Sequence, residues 1–315
     1  MHVQQLLDFV SQERRLTGVA LARIGLGSLL SIYYALHLLQ RDFLWGPDGL
    51  YPLKLLLQSI GQTHAYTLYQ FSSTDWYFNL IFFCGLIVSA LFALGVQSRL
   101  TSVLFFVFTW SLYQRNYLAI DGGDNIAFII AFYMMFADTG RCLSIDSLNA
   151  LKPVGFLRGA VHNFAILACL TQIAILYFFA ALAKAQSPGW LDGSAIYYIL
   201  RAQEFYLPGI SPWLYQSAFA CVFACYATIV FEFFLPFEIW RRGLRPWVLL
   251  GAIILHLSIG LFMGLMYFSL NMIAIDLVVL SDVEYERLRT AVGGIVTHLR
   301  TRHALGQGHA KAGAN

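Results

Sequence analysis

Long apolar runs, separated by short polar stretches rich in glycine, proline and arginine, dominate this 315-residue chain. A helix needs about 20 mostly apolar residues to cross the hydrocarbon core of a bilayer. Backbone polar groups there must be paired within the segment, so such runs form helices. On that rule the first span is expected over 17–39, then 75–96, 99–119, 123–139, 160–184 and 213–239. The run 246–281 is too long for one ordinary crossing, and Gly264 lies near its middle. It divides into two closely packed segments, 246–264 and 266–281. The expected fold class is all-α, a polytopic transmembrane helix bundle of about 8 segments.

Two further pieces do not span. Residues 41–74 carry WGPDGLYP and then an amphipathic stretch around Leu53–Leu68, and residues 187–212 read SPGWLDGSAIYYILRAQEFYLPGISP. Proline and glycine mark turns in both, and their Trp, Tyr and Leu content predicts short helices lying in the outer interface. The polar N-terminus and the long first apolar run argue against a cleaved signal peptide, so that run is expected to stay as the first span. The organisation expected is 1–16 as a cytoplasmic N-terminus, 17–281 as the bundle and 282–315 as a cytoplasmic, partly disordered tail.

Charge orients this bundle. Cytoplasmic loops are enriched in Lys and Arg. With the N-terminus inside and the spans alternating, the inside holds Arg14, Arg15, Arg99, Arg141, Lys152, Arg158, Arg241, Arg242 and Arg245. The tail adds Arg287, Arg289, Arg300, Arg302 and Lys311, while the outside holds only Arg41, Lys54, Arg115, Lys184 and Arg201. Both termini are therefore expected in the cytoplasm of a multi-pass cell-membrane protein, most simply in a bacterial inner membrane.

Composition agrees with lipid as the solvent. Hydrophobic residues make up 59% of the chain and charged residues only 12%, against about 25% charged in an ordinary soluble domain. A net charge of +3, with no basic run interleaved with aromatics, excludes nucleic acid as a partner. The five cysteines include no CxxC, and four lie in apolar stretches, so neither a disulfide framework nor a zinc site is expected.

Ionisable residues inside the spans then stand out, because each costs about 2.5–3.5 kcal/mol to insert at the bilayer centre. Arg23 either snorkels to the cytoplasmic surface or pairs with a buried carboxylate. Asp124, after a glycine pair in AIDGGDNIAF, is either a helix N-cap or part of a ligand site. Glu232 sits deep in TIVFEFFLPFE, four residues before Pro236, and needs a partner. His256 is mid-span in LLGAIILHLSIGLF. Asp276, with Asn271 nearby, is read as a polar partner that fixes helix packing. Lys184 closes ILYFFAALAK at the outer side, where it either snorkels or, if buried and neutral, serves as a general base.

The strings LARIGLG, GPDGLYPL, LGVQSRL, RNYLAIDGGDN, LYFFAALAKAQSPGWLDGSA and HLSIGLFMGLMYFSLNMIA occur in that order over residues 17–281. In this order they resemble the HTTM family, the horizontally transferred transmembrane domain. That superfamily includes the membrane portion of vitamin K-dependent γ-glutamyl carboxylase and a bacterial membrane protein that matures a sporulation-delaying peptide. The resemblance implies that Lys184 is the base that deprotonates a reduced quinone, with Trp190 and Gly193 closing the same block. It also implies that His256, Phe262 and Phe268 belong to the site. Ile259 stands where the family pattern carries an asparagine. No segment matches the carboxylase's luminal substrate region, so carboxylation of protein glutamates by this chain alone is not expected.

The reading that follows is a membrane protein that modifies or matures a peptide. Its catalytic candidates are Lys184 and His256, and its further polar candidates are Asp124, Glu232, Arg23 and Trp190. Its partners are membrane lipid and a small peptide or partner protein; a reduced quinone enters by resemblance alone. The alternatives are a non-catalytic partner in peptide maturation or export, and a small transporter, for which no internal repeat is visible.

Overall fold

A computed structural model describes residues 10–63, 65–149 and 153–291, together with Leu7 and Gly293. Lys152, the tail arginines Arg300 and Arg302, Lys311 and the stretch 305–315 lie outside the described residues. The long helices are α1 (Leu16–Leu36), α4 (Asp75–Leu94), α5 (Ser98–Arg115), α6 (Gly122–Met134), α7 (Phe156–Ala185), α11 (Ala218–Glu238), α12 (Arg245–Met263) and α13 (Met266–Asp276). Short helices α2 (Arg41–Trp45) and α3 (Leu53–Thr63) follow α1, and α8 (Pro188–Leu191), α9 (Ala195–Ile199) and α10 (Ser211–Tyr215) follow α7. Helix α14 (Asp282–Ala291) closes the described chain. There is no strand among the described residues, so the all-α bundle expected from the sequence stands.

Each of the eight expected segments contains a helix, but eight crossings do not follow. Among the described residues five helices are long and apolar enough to cross: α1, α4, α7, α11 and α12. A sixth crossing exists only if Met266–Val279 and Asp282–Ala291, bent by 106°, count as one broken span. At 1.5 Å per residue, the 13 residues of α6 reach about 20 Å, and the hydrocarbon core is about 30 Å thick. Helix α5 is long enough, but its sequence SRLTSVLFFVFTWSLYQR carries too many polar groups. The break in 246–281 lies where glycine predicted it. Gly264 caps α12 with φ +72°, a left-handed conformation that costs glycine least.

Helix α1 is the centre of the bundle. It packs along α4 and α13, and small residues let the backbones approach. A methyl group added at Gly27 would strike the backbone of Ala93, and one at Gly25 would strike Ala274, the close small-residue contact of membrane helices. Arg23 is fully buried here. It neither snorkels nor forms an ion pair with a carboxylate among the described residues. Its Nη1 donates to the Phe92 carbonyl at 2.9 Å and the Ala93 carbonyl at 2.8 Å, and its Nη2 donates to Leu143. The Phe92 and Ala93 carbonyls lie in the last turn of α4, where a cation is favoured.

The two ends of the bundle are closed by different chemistry. At the arginine-rich end, Asp138 pairs with Arg158 at 2.5 Å and Arg99 at 3.5 Å, and Glu13 pairs with Arg141 at 3.0 Å. Arg15 donates to the carbonyls of Val278 and Val279, and Arg245 faces Glu284 at 3.7 Å. At the opposite end Arg115, read from sequence as an outer-loop charge, is buried and donates to the carbonyls of Tyr51 and Gly46. Asn116 donates to Leu44 at 2.8 Å. The RN pair of RNYLAIDGG thus anchors the segment that carries GPDGLYP. Helix α3 has the expected two-sided character: Leu53, Leu56 and Ile60 are buried while Leu55 and Leu57 are exposed.

Candidate functional site

Helix α7 packs along α11 and α12 packs along α13. Between these two pairs lies a cavity of about 310 Å³. Helical spacing explains which residues reach it, since positions three, four or seven apart share a face. Helix α7 contributes Tyr177 and Lys184, α11 Thr228 and Glu232, α12 His256, Ile259 and Met263, and α13 Phe268 and Met272. Trp190 from α8 and Ile196 and Ile199 from α9 close one side, and Gly122 and Ile126 of α6 complete the wall. Pro236 lies within α11; having no N–H, it leaves the Glu232 carbonyl without its helical donor.

Two polar groupings interrupt these apolar walls. In the first, Lys184 Nζ donates to both carboxylate oxygens of Glu232, at 2.7 Å and 3.0 Å, and lies 5.3 Å from the centroid of the Trp190 ring. The ammonium is thus held by an ion pair and an aromatic face together. Glu232 is buried, while the Lys184 side chain keeps 22% of its surface exposed. In the second, the Tyr177 hydroxyl donates to Asp276 Oδ2 at 2.6 Å and lies 2.7 Å from His256 Nε2. His256 Nε2 and Asp276 Oδ2 are 3.8 Å apart. His256 Nδ1 and Asp276 Oδ1 are buried with no hydrogen-bond partner.

Of the residues singled out in the sequence, Lys184, Glu232, His256 and Trp190 come together on this cavity. Glu232 and His256 both face the interior, as expected for spans joined by a short connection, but each takes a different partner. Asp124 is set apart. The N-cap of α6 is Asp121 and not Asp124, which stands at the third helical position and completes a capping box by accepting from the Asp121 N–H at 3.0 Å. Arg23 serves the α4 terminus. Sequence reasoning missed Tyr177 as a site residue, although it lies two turns before Lys184 on one helical face. It gave Asp276 a packing role only. Ile259, where the family pattern has an asparagine, lines the cavity as an apolar wall.

The HTTM domain profile matches residues 61–282, most of the chain and all of this cavity. This chain belongs to the HTTM domain family. It is a multi-pass membrane protein, as the five apolar helices require. It is 25% identical over 219 residues to the uncharacterized protein YitO of Bacillus subtilis (strain 168), a stretch covering 65% of this chain and 68% of that protein. It is 26% identical over 216 residues to the sporulation-delaying protein SdpB of the same organism, covering 66% of this chain and 65% of SdpB. No solved structure matches it.

Proposed function

We propose that this HTTM protein matures a peptide at a bacterial inner membrane, using the cavity between α7, α11, α12 and α13 to hold a lipophilic reduced quinone. The observation that carries this reading is the convergence of Lys184–Glu232 and Tyr177–His256–Asp276 on one apolar cavity. The residues fit such a group. Leu255, Ile259, Met263 and Met272 offer apolar contact, Trp190 and Phe268 offer aromatic faces, and a buried ring nitrogen of His256 lacks a partner.

A reduced quinone, when bound, supplies a weakly acidic hydroxyl and reducing equivalents. The chain's own residues do the rest. Trp190, Ile196 and Ile199 line one side of the cavity with apolar surface, and interactions among such low-dielectric walls strengthen. Lys184 is ion-paired here, and an ammonium has no lone pair with which to take a proton. Base action requires its proton to move onto Glu232, 2.7 Å away. An apolar cavity is the medium in which a neutral pair costs least relative to two charges. Glu232 is therefore assigned as the proton store and Lys184 Nζ as the base.

The same ion pair supports a second reading, in which Lys184 only ties α7 to α11 and the protein is a non-catalytic partner in peptide maturation. Lys184→Arg and Lys184→Ala separate the two when maturation of the cognate peptide is measured. Arg keeps the charge and the pair but stays protonated. A base predicts that both variants lose activity, by 100-fold or more on the usual scale of general-base catalysis. Full activity in Lys184→Arg with impairment in Lys184→Ala would leave only the anchoring role.

A further inference from the structure

The Tyr177 hydroxyl has one proton to give, and the carboxylate of Asp276 takes it at 2.6 Å. The hydroxyl oxygen therefore meets His256 Nε2, 2.7 Å away, as an acceptor, and Nε2 carries the ring hydrogen. A neutral imidazole has one N–H. The lone pair then belongs to Nδ1, which is buried and without a partner on a residue that lines the cavity. A buried, unpaired acceptor is costly unless something fills it.

We propose that Asp276 and Tyr177 are positioning residues that lock His256 as its Nε2–H tautomer, so that Nδ1 accepts a hydrogen bond from a second hydroxyl of the bound ligand. The inference rests on the reading that the cavity holds a reduced quinone with one hydroxyl at Lys184–Glu232, and it assigns the other hydroxyl to His256 Nδ1. Two polar poles lining the one cavity, Lys184–Glu232 from α7 and α11 and His256 from α12, read two hydroxyls, while Trp190 and Phe268 supply faces for the ring between them. Asp276 contributes from behind His256, as the carboxylate that orders the chain of hydrogen bonds. Its charge, 3.8 Å from Nε2, also favours any positive charge that develops on the imidazole.

Two measurements on the full chain in lipid nanodiscs test this. In the first, the ring nitrogens of His256 are read by 15N NMR, with assignment by subtraction of a His256→Gln sample. The expected result is a protonated Nε2 and an unprotonated Nδ1. In Asp276→Leu the Tyr177 hydroxyl, with no carboxylate to serve, turns to donate to Nε2, and the proton is expected on Nδ1. A wild-type protein with Nδ1 protonated would overturn the proposal, as would an unchanged tautomer in Asp276→Leu. In the second, anaerobic binding of 1,4-dihydroxynaphthalene is compared with that of 1-naphthol. The diol is expected to bind at least ten-fold more tightly, as a site built for a hydroxyl discriminates against a ligand that lacks it. His256→Phe should remove that preference. Equal binding of the two by the wild type overturns the diol proposal and leaves the cavity reading standing; binding of neither overturns both.

Discussion

The Lys184–Glu232 pair offers a perturbation whose size follows from its geometry. Both carboxylate oxygens of Glu232 take hydrogen bonds from one ammonium, at 2.7 Å and 3.0 Å. Breaking a buried pair by removing one partner costs about 3–5 kcal/mol, because the other charge is left without compensation. Lys184 keeps 22% of its side chain exposed, so after Glu232→Leu its ammonium recovers part of its solvation. The expected loss is therefore discounted to about 2–3 kcal/mol. Lys184→Met leaves the more deeply buried Glu232 unpaired and should cost as much or more. The double variant Lys184→Met with Glu232→Leu replaces the pair by apolar side chains of similar size, and such replacements are often neutral or stabilising. Thermal unfolding of the detergent-solubilised protein, arranged as a double-mutant cycle, gives the coupling directly. The double variant should recover most of the stability lost in each single variant while having no maturation activity. A coupling below about 0.5 kcal/mol, the level of an exposed surface pair, would refute the buried pair; full activity in the double variant would refute its function.

Other positions give independent checks. Arg23→Met should leave the Phe92, Ala93 and Leu143 carbonyls without their shared donor and lower the unfolding temperature, while Arg23→Lys, with fewer donors, should recover only part of the loss. Burial, followed by hydrogen bonding to Asp138, pushes the Glu13 carboxyl up to about 7. The folded state then binds more protons than the unfolded state between about pH 4.5 and 7, and stability should fall as pH rises through that window; Glu13→Gln should flatten this part of the melting-temperature profile. The arginine-rich end that gathers Arg15, Arg99, Arg141, Arg158 and Arg245 is proposed to face the cytoplasm, with both termini. A periplasm-active phosphatase fused after residue 315 should be silent, and activity there would refute that orientation.

The helices were legible because lipid demands long apolar runs, and Gly264 marked the break between α12 and α13. The number of crossings was not, since an apolar run does not separate a helix that spans from one too short to do so, such as the 13-residue α6. The site was legible as a set of polar residues where none belongs: Lys184, Glu232 and His256. Their partners were not, because periodicity places residues on a face of one helix and says nothing of which helix lies opposite. Lys184 finds Glu232 across 48 positions of sequence, and Tyr177 bridges to Asp276 across 99. Arg23 and Arg115 illustrate the same gap. From sequence Arg23 reads as a snorkelling or carboxylate-paired charge and Arg115 as an outer-loop charge, yet each is buried on backbone carbonyls.

The central claim is that the cavity between α7, α11, α12 and α13 is where the ligand binds, and photolabelling tests it most directly. An azido-substituted naphthoquinone, photolysed with the protein in lipid nanodiscs and mapped by mass spectrometry, should label Ile196, Ile199, Met263 and Phe268, all of which line the cavity. Filling the cavity with Ile259→Trp should abolish that labelling. Labels confined to the exposed aromatic face of α11, at Phe219 and Phe223, and unaffected by Ile259→Trp, would contradict it.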